Sequence, residues 1–287
     1  MNLPRDDRSE RVCHPTAHGG LHWAPHHDAG YGARMDAVAR WVAAEQPRAF
    51  VSDVSVELAL FVRLLGVPVI VMALPGNRTD GPHELVHRIA DHIVAAWPRE
   101  VDEPSWLRPH AAKTSYVGGI SRFEGRDRAA IRSDQQLRVL VLGGADGDFD
   151  GASAGAPRCA GTTWTVLGGT SGWVADPWPQ ICAADLVVTH AGQSCIADIA
   201  AAGRPAVVIP QPRPFDEQHA TATALQRHRL ATVLPGWPDD REWPDVLLRA
   251  LSSESRDWQR WQVQGAAARA ARAIETTAAH HATLAAV

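Results

Sequence analysis

Hydrophobic positions along the chain fall into short blocks that alternate between a helical and an extended period. In ARMDAVARWVAAEQ (33–46), Met35, Val38, Ala39 and Val42 recur at helical spacing, and Pro47 ends the run. AFVSDVS (49–55) reads as a strand, VELALFVRLLG (56–66) as a helix closed by Gly66, and VPVIVMAL (67–74) as a buried strand. A helix around HELVHRIAD (83–91) and a short strand in HIVAAWP (92–98) complete this block. Residues 98–136 have no clear period and are rich in Pro, Gly, Arg and Asp, the composition of a linker. The alternation restarts with strands in LRVLVLGG (137–144) and TWTVLGG (163–169), a short helix near PWPQICAA (177–184) and a strand in DLVVTH (185–190). A helix in QSCIADIAAAG (193–203), a strand in PAVVIPQ (205–211), a helix in DEQHATATALQRHR (216–229) and a strand in ATVLP (231–235) follow, and the chain is mostly helical from Arg241.

Short apolar strands alternating with helices imply parallel sheets covered on both faces. The pattern predicts an α/β protein of two facing, doubly wound Rossmann-like domains. These are a partial first domain over residues 1–97, the linker 98–136, and a second domain with carboxy-terminal helices over 137–287. The first block offers only about three strands, and no opening strand with a glycine-rich turn, so the first domain reads as incomplete. On such sheets ligands bind beyond the carboxyl ends of the strands, so the residues just after each strand are the ones to weigh for chemistry.

Composition narrows the partners. The net charge of −4 gives no electrostatic case for nucleic acid. No apolar run approaches the ~20 residues of a spanning helix, and the polar start MNLPRDDRSE has no signal-peptide core. A cytoplasmic protein is expected, with peripheral membrane contact left open. Cys13, Cys159, Cys182 and Cys195 are irregularly spaced, which fits reduced thiols better than disulfides or a zinc site. Five histidines crowd one stretch: His14, His18, His22, His26 and His27. Their i,i+4 spacing would align metal ligands on a helix, but Pro15, Gly19, Gly20 and Pro25 argue against a continuous one.

The most informative stretch is HAGQSCIADIAAAGRP (190–205). His190, Ala191 and Gly192 form a strand-to-helix turn, and the helix from Gln193 aims its free N–H groups and positive end at that point, a seat for a phosphate or diphosphate. Ile196, Ile199, Ala200 and Gly203 share one face, Ser194 and Asp198 another. Asp198 therefore either looks into a cleft, accepting hydrogen bonds from sugar hydroxyls, or is a solvated surface carboxylate. Asp216, Glu217 and Gln218 follow the next strand; carboxylate plus amide suits polyhydroxyl recognition, and Asp216 equally suits a helix cap. Asp53, as a cap or a ligand, and PGNRTD (75–80) with Asn77, Arg78 and Asp80, as a surface loop or an acceptor contact, also follow strands. ADGDFDG (145–151) begins like a calcium loop, but Pro157 stands at the twelfth position where Glu is required, so Asp146, Asp148 and Asp150 read as a solvated acidic loop.

Together these residues bring a family into view. ADLVVTHAGQSCIADIAAAGRPAVVIPQPRPFDEQHATATAL (184–225) resembles the carboxy-terminal, nucleotide-sugar-binding domain of the two-domain GT-B glycosyltransferases, nearest to family 28, which contains the enzyme that adds N-acetylglucosamine to make lipid II. Gly192, Asp198, Gly203, Pro205 and Asp216–Gln218 keep the family spacing. The resemblance implies that His190 and the Ala191–Gly192 turn hold a diphosphate above Gly143 and Gly144, with Gln193 and Ser194 in the same donor site. It implies that Asp198 replaces a ribose-binding Glu with one methylene fewer, and that Gln218 with Asp216 or Glu217 contacts the donor sugar. Thr221 stands where Asn is usual.

The implied reaction is an inverting, metal- and cofactor-free transfer of a hexosyl group from a UDP- or TDP-sugar to a hydroxyl of a small molecule, lipid or glycan. The helix amino terminus and His190 would stabilise the departing charge. The base is usually found early in the first domain, the part that reads as shortened; His18, His22 and Asp28 are the candidates in its place. Asp53, Asn77 and Arg78 would lie on the acceptor side. Two other readings share the fold: a non-catalytic nucleotide-sugar-binding subunit completed by a partner chain, and a nucleotide-sugar epimerase.

Overall fold

A computed structural model describes residues 2–6, 12–128, 136–144, 157, 159–169, 172–252 and 255–284. Its frame is two wholly parallel sheets. The first holds β1 (Phe50–Ser52), β2 (Val69–Ala73), β3 (His92–Ala95) and β4 (Thr114–Tyr116), in that spatial order. Its helices are α1 (Ala29–Glu45), α2 (Val56–Leu64) and α3 (Gly81–Ile89). The second sheet is built from β5 (Leu137–Leu142), β6 (Thr162–Leu167), β7 (Leu186–Thr189), β8 (Ala206–Val208) and β9 (Thr232–Val233). Its spatial order is β6-β5-β7-β8-β9. Its helices are α4 (Trp178–Ala183), α5 (Gln193–Ala202), α6 (Glu217–Arg227) and α7 (Trp243–Leu251), and the last helix is α8 (Ala266–Leu284). No helix among the described residues is long and apolar enough to cross a membrane.

The elements follow from the apolar runs. All four residues of β7 are buried, as are four of the five in β2, which is what strands covered by helices on both faces require. Two helix starts are fixed by side-chain caps: Asp28 accepts from the Tyr31 N–H at 2.7 Å to open α1, and Ser55 accepts from the Leu58 N–H at 3.2 Å to open α2. The cap of α2 is therefore Ser55, and Asp53 is an exposed residue just beyond β1.

Three expectations need correction. The first sheet has four strands rather than about three, because Thr114–Tyr116 of the expected linker pairs with β3. The rest of that segment is packed too: Phe123 stacks near Trp178 with centroids 5.1 Å apart, Arg126 makes two 3.0 Å bonds to Asp176, and Arg128 Nε donates to the Ala201 carbonyl at 2.8 Å. Finally, α8 lies at the end of the expected second domain but packs on the first sheet, where Ala270 and Ile274 meet Ile70, Val94 and Val117. The acidic run 145–151 lies outside the described residues.

The two halves meet where the loop after β2 crosses the entrance to α6. The Asn77 N–H donates to the Phe215 carbonyl at 2.8 Å, and Gly76, at φ 96°, has no room for a side chain because a Cβ would overlap the same Phe215 oxygen. Behind this crossing Trp106 donates to the Gly76 carbonyl at 2.9 Å, and its ring stacks on His87 of α3 with centroids 4.9 Å apart and planes inclined by 15°. Burial pushes the His87 imidazole down from 6.5 to about 3, helped by the positive potential of His83 and His110.

Gly76→Ala should destabilise the protein by about 1–3 kcal/mol. Gly66→Ala is the control for backbone strain alone: its φ is 83° but nothing lies within 4 Å of its Cβ position. Urea unfolding should show the larger loss for Gly76→Ala, and equal losses would remove the crossing as a constraint. His87 gives a pH dependence. Its folded pKa lies below its unfolded one, so as pH falls the unfolded chain takes up the proton first. Its contribution is intact above pH 6.5 and is lost progressively as pH falls toward 3. His87→Phe should flatten that acid slope in pH-dependent unfolding; an unchanged slope would contradict the assignment.

Candidate active site

In the second sheet the chain runs from β5 outward to β6 and then returns to β7 on the other side of β5. The carboxyl ends of β5 and β7 therefore form a switch point, where open α/β sheets hold their ligands. A cavity of about 450 Å³ opens there, lined by Gly143 and Gly144 after β5, Gly168 after β6, and Ser194, Cys195 and Asp198 on α5. Ile120 and Arg122, from the segment following β4, close its other side, and the exposed indole of Trp173 stands at the rim.

The turn after β7 is built around His190. Its ring folds back over Gly192, where any Cβ would lie 2.5 Å from the imidazole, and the Gly192 N–H donates to Nδ1 at 2.9 Å. The ring proton of the neutral imidazole is therefore on Nε2, which lies 3.5 Å from Cys195 Sγ and beside the Gly144 backbone. Burial pushes His190 down to about 4, with Arg213 adding to the effect. The ring is neutral at neutral pH, so what it can offer a phosphate is a hydrogen bond and not a positive charge.

Gln218 also takes a different place from the one expected. It is buried on α6, its carbonyl oxygen accepts from the Ala191 N–H at 3.2 Å and the Gln211 N–H at 2.9 Å, and its amide nitrogen lies 3.4 Å from His190 Nδ1. It braces the turn instead of reaching for a sugar. The Gln193 amide nitrogen, in contrast, is buried with no hydrogen-bond partner among the described residues, an unmet donor at the start of α5.

Asp198 is a wall of the cavity and is 7% exposed, which removes the solvated alternative. α5 is buried from Ile196 through Ala202, without the polar face that its spacing suggested. The Ser121 hydroxyl donates to Asp198 Oδ1 at 2.6 Å, and Arg122 Nε lies 3.7 Å from Oδ2. Burial pushes the carboxyl pKa up, opposed by the Ser121 hydrogen bond and the Arg122 charge. Ser121 and Arg122 carried no sequence signal, because their position depends on β4.

A second group of residues faces the domain crossing. The backbone N–H groups of His22 and Trp23 both donate to Glu57 Oε1, at 2.7 and 3.0 Å, which pins the amino-terminal loop to the first turn of α2. His22 Nε2 lies 2.6 Å from Asp80 Oδ2, and the other Asp80 oxygen is hydrogen-bonded to His83 Nδ1. Burial opposes the Asp80 charge, but the hydrogen bonds to His22 and His83 outweigh it and hold the carboxyl below its ordinary range. Burial likewise keeps His83 below its ordinary value, against the pull of Asp80.

Arg78 is 4% exposed and lies between the halves. Its Nη2 donates to Glu217 Oε2 at 3.0 Å, its Nε to the Pro75 carbonyl at 3.1 Å, and its guanidinium carbon is 4.5 Å from the Phe215 ring centroid. Of the expected bases, only His22 joins this group. Asp28 caps α1, and His18 is exposed with its ring 6.1 Å from that of His14. Asn77 and Asp216 line a separate open groove with Trp106 and His219. Glu57 and His83 were missed; the D-x-x-H spacing of Asp80 and His83 across the start of α3 was the available signal.

Residues 177–259 match the Glycosyltransferase family 28 C-terminal domain. The UDP-N-acetylglucosamine--N-acetylmuramyl-(pentapeptide) pyrophosphoryl-undecaprenol N-acetylglucosamine transferase of Acidiphilium cryptum is 27% identical over 248 residues, covering 76% of this chain and 64% of that protein. The same-named protein of Rubrobacter xylanophilus is 28% identical over 221 residues, covering 67% and 62%. The chain thus spans less than two thirds of these relatives' length. Among solved structures, MurG of Acinetobacter baumannii aligns with a TM-score of 0.57 at 19% identity, over 86% of this chain and 80% of that one. Arabidopsis thaliana UGT89C1 complexed with UDP aligns at 0.62 and 12%, over 87% and 78%. The two sheets form a GT-B frame, and residues 177–259 of the second one's domain are similar to the carboxy-terminal domain of glycosyltransferase family 28.

Proposed function

We propose that the protein transfers a hexosyl group from a UDP-sugar to an acceptor hydroxyl, with inversion and without metal or cofactor. The observation that carries this reading is Asp198: a buried carboxylate at the switch-point cavity, with one oxygen fixed by Ser121 and the other keeping only a long contact to Arg122. A carboxylate so held suits paired ribose hydroxyls. UDP and N-acetylglucosamine are the first donor parts to test, because the relatives' names specify that donor and one structural neighbour holds UDP. Those names also describe a lipid-linked acceptor, which favours a lipid over a free glycan or small molecule.

The diphosphate would lie over Gly143–Gly144 at the amino terminus of α5, with free N–H groups, the His190 Nε2–H and Arg122 around it. His22 is the base. It takes the proton of the acceptor hydroxyl while that oxygen bonds to the anomeric carbon, and the carbon–oxygen bond to the diphosphate breaks with its electron pair leaving on the diphosphate. Asp80 then faces the imidazolium so formed. The His22–Asp80 pair favours a catalyst over a purely binding subunit.

UDP should raise the melting temperature of the full chain, and Asp198→Ala should weaken UDP binding by about tenfold or more. No response to UDP, TDP or their sugars in the wild type would sink the donor reading. His22→Gln should lower kcat by about 10²- to 10⁴-fold while leaving the UDP response in place. Retained turnover would remove His22 as the base.

A further inference from the structure

We infer that Arg78 acts from across the domain interface as a positioning residue, setting the basic nitrogen of His22 through His83 and Asp80. The inference rests on the reading of His22 as the base. It begins with a chemical asymmetry: a guanidinium has donors and no acceptor. Arg78 Nη1 is 3.3 Å from His83 Nε2, so that nitrogen must accept and carries no hydrogen. The one hydrogen of the neutral His83 ring is then on Nδ1, where it meets Asp80 Oδ1. An ionised carboxylate only accepts, so the second Asp80 oxygen must receive its hydrogen from His22 Nε2. The lone pair of a neutral His22 is left on Nδ1. Arg78, His83, Asp80 and His22 thus admit one consistent arrangement of hydrogens, with the acceptor-only Asp80 at its centre and the donor-only Arg78 at its end.

Besides the Pro75 carbonyl of its own loop, what orients Arg78 belongs to the second domain. Nη2 is held by Glu217 on α6, and Phe215 lies against the face of the guanidinium. Glu217 is followed by Gln218, which braces the His190 turn at the donor cavity. When the 215–217 segment sits against the loop after β2, Nη1 is aimed at His83. Without that contact the Nε2 lone pair of His83 has lost its donor, so the ring can turn away or take a second proton there, and either change loosens the hold of Asp80 on His22. The base is thereby in the correct form when the donor domain is in place.

The same atoms also suggest another ligand. One ligand atom from each of His22, Asp80 and His83 lies within 4.8 Å of the others, a donor set known for divalent transition metals. A metal on His83 Nδ1 would move the ring hydrogen to Nε2, facing an arginine N–H donor to donor. Arg78 therefore favours the hydrogen-bond chain over a cation.

The test reads ring tautomers directly. In the full chain labelled with ¹⁵N-histidine, with UDP present, long-range ¹H–¹⁵N correlations should show the His83 proton on Nδ1 and the His22 proton on Nε2, with signals assigned from His22→Gln and His83→Gln. Arg78→Met should let His83 Nε2 take up a proton more readily, so that both ring nitrogens of His83 shift toward the doubly protonated form, and should disturb the His22 nitrogens. With UDP-N-acetylglucosamine as donor it should lower kcat by about tenfold or more and leave KM within about twofold. Glu217→Gln, which leaves Arg78 in place, should show the same shifts in smaller degree and carries the test if Arg78→Met fails to fold. A His83 proton on Nε2 in the wild type, or His22 signals indifferent to both variants, would overturn the inference. So would activation by stoichiometric Zn²⁺ that shifts both rings. Expected tautomers in a protein that binds no nucleotide would instead overturn the transferase reading, a result distinguishable from a wrong tautomer.

Discussion

The buried guanidinium of Arg78 is the contact on which the arrangement of the two halves depends. Removing a charge from water costs several kcal/mol unless its donors are matched. Here they are matched by atoms from both domains: the Pro75 carbonyl and His83 on one side, the Glu217 carboxylate and the face of Phe215 on the other. Separating the domains would leave Arg78 with only part of this set. The close approach explains why Gly76 is at positive φ with no space for a side chain, and it accompanies the left-handed backbone of Phe215 and Asp216.

The switch-point cavity depends on the same cooperation between halves. Its glycine turns and Asp198 belong to the second sheet, but Ser121 and Arg122 come from the segment that leaves β4. That segment is held by Phe123 against Trp178 and by the Gly119 N–H on the Trp261 carbonyl, while α8 covers the first sheet. The pocket that defines the second domain thus takes one wall from the first, and the chain crosses between the domains twice to build it.

What was legible in the sequence was what local pattern determines. Val- and Ile-rich runs announced β2, β5, β7 and β8, and the His190–Gly192 turn was visible because a strand, a small-residue turn and a helix follow one another. β4 was not legible: Thr-Ser-Tyr is short, polar and half-buried, and is a strand only because β3 lies beside it. Losing β4 hid Ser121 and Arg122. Gln218 shows a different limit. Its position after a strand was read as exposure to ligand, whereas its amide is occupied by the Ala191 N–H and His190 Nδ1 of the turn it supports and by the Gln211 N–H beyond β8. His22 could not be separated from His18 and Asp28 by spacing, since its partner Asp80 is 58 residues away.

The distribution of charge over the cleft then follows from burial. His190 is neutral where a leaving diphosphate would gather charge, so its service there is one directed hydrogen bond. Arg122 lines the cavity with a full positive charge, and its side chain is half exposed and therefore carries that charge without a large desolvation cost. At the other end, Asp80 is held ionised beside His22, the proposed base, where it would face the imidazolium formed by proton transfer. Arg78 and Glu217 neutralise each other between these two sites. The donor end is thus provided in advance for negative charge and the base end for positive charge, which is the polarity that departure of a diphosphate and deprotonation of a hydroxyl require of one cleft.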